Sequence, residues 1–112
     1  MPAVRLTTER CPKQFLFWLS LLRSKFPDFP CNAITQNINQ KYEPHTHQRQ
    51  SRSKIILFGD FTGGALCLED GTRFSEKNVF FDFDGGMKHW VQPWEGDRVS
   101  IVYYYKKPQR EY

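Results

Sequence analysis

The chain has little of what staples or anchors a fold. Its 112 residues hold three cysteines, Cys11, Cys31 and Cys67, odd in number and without a C-x-x-C pair. That pattern speaks against a disulfide scaffold and a structural zinc site, and it fits a reducing compartment. Long hydrophobic runs are also missing. The longest, Phe15 to Leu19 with its extension to Leu22, stops at Arg23, well short of the roughly 20 residues a bilayer needs. The same stretch is aromatic-heavy and is followed by Arg23, Lys25 and Pro27 rather than by small residues, so it is a poor signal peptide. The expectation is a cytoplasmic or nuclear protein with no membrane partner. No repeat or low-complexity segment divides the chain, and its length suits a single domain over residues 1–112 with one core.

Aromatic residues are plentiful, at 16% of the chain. Most stand in short runs beside β-branched residues, which is strand chemistry. One segment differs. Pro12 suits a first helical position, and Phe15, Trp18, Leu19, Leu22 and Phe26 recur at helical spacing until Pro27. This predicts an amphipathic helix over 12–26, with Leu16, Phe17 and Leu21 widening an apolar face that packs across a sheet. Beyond it the pattern turns to strands at Ile34–Asn39, Glu43–His47, Lys54–Phe58, Ala65–Glu69, Asn78–Phe83, His89–Gln92 and Arg98–Tyr105, separated by turn-rich segments. Seven short strands after one helix, over a core at 34–105, predict a mainly β protein: an antiparallel sandwich or barrel.

The net charge of +4 is uneven. Basic residues gather in the flanks and acidic ones in the centre, 55–102. Ordinary solubility accounts for this as well as an acidic partner does.

Histidine is scarce and placed with chemical consequence. His45 and His47 stand at i and i+2 in a strand candidate and leave one face of it, a chelating arrangement. His89 lies in another strand candidate, and imidazole is a common ligand for iron, zinc or copper. If Trp94 to Asp97 turns a hairpin, His89 lies on one arm and Arg98, Ser100 and Val102 on a common face of the other. A guanidinium with a hydroxyl two residues on is a fork for a small carboxylate.

In order along the chain stand Asn37-Ile38-Asn39, His45-Thr46-His47, Gly59-Asp60-Phe61-Thr62-Gly63-Gly64, Phe83-Asp84-Gly85, His89 and Gly96-Asp97-Arg98-Val99-Ser100. The ordered set resembles the Fe(II)/2-oxoglutarate-dependent dioxygenase superfamily, in particular its compact branch near the ten-eleven-translocation and J-binding-protein oxygenases. The likeness spans residues 34 to 105. It implies a double-stranded β-helix (jelly-roll) preceded by the helix. It also implies iron held by His45 and His89, and 2-oxoglutarate held through its distal carboxylate by Arg98 with help from Ser100. Oxidative hydroxylation of a substrate, with dioxygen consumed and 2-oxoglutarate decarboxylated to succinate, would follow. The substrate itself is not readable, and a nucleic-acid base is one candidate by analogy with that branch. Asp60 and Asp84 read as turn formers.

One position departs from the family pattern. His47 stands where the third metal ligand is a carboxylate, and a neutral imidazole there leaves a ferrous complex one unit more positive. A milder departure is Gln50, where relatives tend to carry Asn. The chain therefore leans towards an enzyme whose activity turns on His47. Two other readings stay open: a catalytically degenerate member that serves as a metal-binding or interaction module, and a basic β-barrel that binds nucleic acid through its flanks and Tyr103-Tyr104-Tyr105.

Overall fold

A computed structural model describes residues 3–41 and 52–106. Strand β1 (Val4–Leu6) leads into helix α1 (Pro12–Arg23), then β2 (Ala33–Ile38), β3 (Arg52–Phe58), β4 (Phe61–Gly63), β5 (Leu66–Leu68), β6 (Arg73–Phe74), β7 (Phe81–Asp84), β8 (His89–Val91), β9 (Trp94–Gly96) and β10 (Val99–Tyr104). The protein is mainly β, and every ladder between these strands is antiparallel. Five strands form the main sheet in the order β1-β2-β10-β3-β7; β6-β5-β8 and β4-β9 form two smaller sheets. The last strand thus lies at the centre, between β2 and β3.

Helix α1 begins at Pro12, whose missing N–H costs nothing in the first turn. It ends at Arg23, one turn before the expected Phe26. Pro27 disfavours helical backbone at Phe26, and the Ser20 and Ser24 hydroxyls bond back to the Phe17 and Leu21 carbonyls. Its buried face carries Phe15 and Leu22 with Trp18 and Leu19 beside them. Leu16 and Phe17 do not widen that face, contrary to expectation. At one and two residues beyond Phe15 they are turned about 100° and 200° away, and both are exposed, Phe17 at 65%.

The main sheet buries both faces, and strand parity sorts its residues between them. One face presents Leu6, Ile34, Ile56, Ile101 and Tyr103 to Phe15 and Leu22 of α1. On the other, Ile55, Leu57 and Phe83 meet Phe61, Leu66, Leu68 and Phe74 from the smaller sheets. Cross-strand partners share a face, so Asn37, Ser100 and Leu57 line up on this second side, as do Thr35, Val102 and Ile55.

Several expected strands form within a residue or two of their predicted ends; the segment Glu43–His47 lies outside the described residues. The proposed hairpin joining His89 to Arg98 does not form. β8 pairs with β5, and Trp94–Gly96, expected as a turn, is a strand paired with β4. Local propensity reports extended backbone and turn residues but not which distant segment will satisfy the hydrogen bonds.

Candidate functional site

Glycine makes the mounting for Arg98. The segments 59–64 and 93–98 lie backbone against backbone through the β4–β9 pair. A Cβ on Gly59 would sit 2.1 Å from the Asp97 carbonyl oxygen, and one on Gly96 2.2 Å from that of Asp60. Only glycine permits such an approach. The Gly63-Gly64 pair has a related purpose: at φ +69°, a Cβ on Gly64 would stand 2.9 Å from Cδ of Arg98 and 3.1 Å from Cβ of Trp94.

Into this space the Arg98 side chain folds, 2% exposed. Its Nε donates to the Gly64 carbonyl at 2.9 Å. The guanidinium carbon lies 5.8 Å from the Phe61 ring centroid and 5.7 Å from that of Trp94, within the range of cation–π attraction. Asn39 holds the backbone: its Oδ1 accepts from the Arg98 N–H at 2.7 Å, its own N–H donates to the Arg98 carbonyl at 2.8 Å, and its Nδ2 donates to Asp97 Oδ1 at 3.1 Å. Asparagine tolerates the left-handed backbone adopted there, φ 51°. A cation taken out of water stays useful only if such contacts hold it in place.

His89 opens β8 and is buried. Its Nδ1 lies 2.7 Å from the Met87 carbonyl oxygen. A carbonyl only accepts, so this contact puts a proton on Nδ1 and fixes the orientation of the ring. The Phe83 ring meets the imidazole edge to face with centroids 5.5 Å apart, which steadies its plane.

His89, Arg98 and Ser100 line one cavity of about 330 Å³ between the main sheet and the smaller ones, together with Asn37. Asn37 donates through Nδ2 to Ser100 Oγ at 3.2 Å, which leaves the serine O–H to donate elsewhere. The Asn37 Oδ1 is buried with no hydrogen-bond partner. An unsatisfied buried acceptor costs about 1–3 kcal/mol, which a ligand or a water would relieve. The remaining wall is chiefly apolar, from Ile55, Leu66, Phe83, Val91 and Val102, and among the described residues no acidic side chain lines it. The cavity thus suits a small anion with an apolar middle.

Three of the five expected site residues therefore share one cavity. His45 and His47, with Gln50, lie outside the described residues, so among the described residues no three His, Cys, Asp or Glu side chains gather as a metal group. Asn37, Asn39, Gly64, Phe61 and Trp94 contribute to the site in ways the residue pattern did not assign, although all five belong to or adjoin the motifs that drew attention. Asp84 forms its expected turn, accepting from the Gly86 N–H at 2.8 Å.

The other marked groups lie away from the cavity. Lys54, the first residue of the strand expected at 54–58, is buried, paired with Asp82 and 3.8 Å from the Phe26 ring centroid. The Tyr103 phenol, on the helix side, is pushed far above its usual range by burial and then by Cys31; burial also pushes the Cys31 thiol up. No family model and no curated protein matches this chain.

Proposed function

We propose that this chain is an Fe(II)/2-oxoglutarate-dependent dioxygenase-like domain, with its strands arranged as a compact jelly-roll. One observation carries the reading: His89, Arg98 and Ser100, distant in sequence and each singled out by the ordered motifs, line the same cavity. The residues there fit the cosubstrate. Arg98 offers a fixed guanidinium for a distal carboxylate, and Ser100 has an O–H to add. They also fit the metal as far as they are described: with Nδ1 against the Met87 carbonyl, Nε2 is the nitrogen of His89 that would serve as the ligand. Iron would be held by His89 with His45 and His47. When bound, it supplies the activation of dioxygen that couples decarboxylation of 2-oxoglutarate to hydroxylation of a substrate.

The chain's own residues set up that chemistry by positioning. Arg98 would hold one end of the diacid, and Ile55, Leu66, Val91 and Val102 line the cavity where its apolar methylenes would lie. Asn37 holds the Ser100 hydroxyl in line by donating to it.

The test is anaerobic loading with Fe(II), then exposure to dioxygen and measurement of succinate formed from 2-oxoglutarate, in the native chain and in His47→Asp. Turnover in the native chain is the expected result. Turnover confined to His47→Asp would identify a lapsed enzyme that keeps its cosubstrate site, the second reading of the sequence. Turnover in neither, with no 2-oxoglutarate binding by calorimetry, would overturn the proposal.

A further inference from the structure

The cavity has a second polar end. Along β10 the residues facing it are Ser100, Val102 and Tyr104, with Arg98 just before the strand and Lys106 just past it. At about 3.4 Å per residue, Ser100 and Tyr104 stand about 14 Å apart along the strand. The two carboxyl carbons of a five-carbon diacid are separated by four C–C bonds and lie only about 5 Å apart. A diacid held at Arg98 therefore leaves the Tyr104 end open to another group.

That end is built from Thr35, Tyr104 and Lys106, with Ala3 just before the edge strand β1. The Tyr104 hydroxyl lies 3.1 Å from Thr35 Oγ1. Two hydroxyls joined by one hydrogen bond use one of their two protons, so one O–H donor is left for a ligand. Lys106 is exposed and brings a positive charge to the rim. Arg5, whose register partner is Thr35, leaves the same face of the sheet and is also exposed. Among the described residues the lining holds no carboxylate, so its charged groups are cationic and favour a negative ligand.

We propose that Thr35, Tyr104 and Lys106 form an oxyanion subsite that receives an acidic group, carboxylate or phosphate, of a small-molecule substrate, while the Arg98 end receives the diacid. Its assignment to the substrate of the oxygenase rests on the function proposed above. The anion site itself stands on the cavity's lining.

The full chain, saturated with glutarate as an unreactive five-carbon diacid, is titrated at low salt with methyl phosphate and, separately, with acetate, following amide shifts by NMR. At least one probe binds, shifting residues around Thr35 and Tyr104. Tyr104→Phe and Lys106→Gln each weaken that probe by about tenfold, the effect of losing one hydrogen bond to a charged group. Glutarate affinity stays within about twofold in both, since distant sites act independently. Arg98→Met reverses the pattern. Lys106→Gln changes an exposed side chain and so tests the site even if Tyr104→Phe disturbs the packing. Preference for methyl phosphate or for acetate names the acidic group. If neither probe binds, or if probe binding follows Arg98→Met and ignores Lys106→Gln, the subsite is overturned. If glutarate fails to bind while a probe still depends on Lys106, the subsite stands and the diacid site at Arg98 falls.

Discussion

The two faces of the main sheet are made by the same strands and do opposite work. Towards α1, Ile34, Ile56, Ile101 and Tyr103 meet Leu6, Phe15 and Leu22 in close apolar packing. Towards the smaller sheets, the residues between them in sequence are Thr35, Asn37, Ser100 and Ile55, and they leave a cavity. An alternating strand usually sets its polar side in water. Here both sides are covered, so the polar side chains become the lining of an interior site. Both faces carry an apolar core, but the second also holds a polar-lined cavity and a buried amide oxygen without a hydrogen bond.

The sharpest way to break this contrast is on the helix face. Leu22→Ala removes a fully buried side chain and is expected to cost about 2–5 kcal/mol in denaturant unfolding. Diacid affinity, extrapolated to the folded fraction, should hold. Equal losses of both would show that the two faces are not separable.

Gly64→Ala comes next and acts on the other side. The added methyl meets Arg98 and Trp94 at a backbone φ of +69°, so stability falls by about 1–3 kcal/mol. Calorimetry should also show diacid binding reduced by about tenfold or more as the guanidinium is displaced. Retention of full affinity would mean that the glycine serves only the turn.

Asn37→Ala is expected to be milder for folding than its depth suggests. It removes the unpaired buried acceptor along with the donor to Ser100, so stability stays within about 1 kcal/mol. Ligand affinity drops because Ser100 loses its orientation. A large loss of stability would show that Asn37 belongs to the structural class after all.

The smallest effect at neutral pH is that of the Tyr103 phenol. Burial raises its folded pKa above the ordinary value of 10.0. The unfolded chain thus releases this proton first, and stability is complete below about pH 10 and declines as pH rises above it. Urea midpoints measured across that range should fall more steeply in the native chain than in Tyr103→Phe. At neutral pH the variant loses about 1 kcal/mol with the bond to the Trp18 carbonyl. Equal slopes would remove Tyr103 as the source.

How far the site was legible depends on the residue. Arg98, Ser100 and His89 stood out because an imidazole binds metals, a guanidinium with a hydroxyl two residues on suits a carboxylate, and all three stand in the ordered motifs. Asn37 stood in a motif without a role, since its task depends on Ser100, 63 residues away, coming alongside. Trp94 and Gly96 read as turn formers because glycine and proline surround them, yet they pair with Gly63 and Phe61. Nothing near Lys54 in sequence foretells its burial, which the arrival of Asp82, Phe26 and Phe29 allows. In the tyrosine triplet, Tyr103 and Tyr104 are buried on opposite faces, which leaves Tyr105 exposed and removes a continuous stacking surface.

What the sequence determined by itself is what near neighbours control. Pro12 and the helical spacing make the helix, and alternation and β-branching make most of the strands. The tertiary structure alone decided which strands pair and whether the second face of the sheet would be covered. It also decided which polar side chains face inward together. Those outcomes depend on contacts between residues far apart along the chain, where hydrogen-bond partners and buried area are settled by closure of the whole sheet rather than by any local preference.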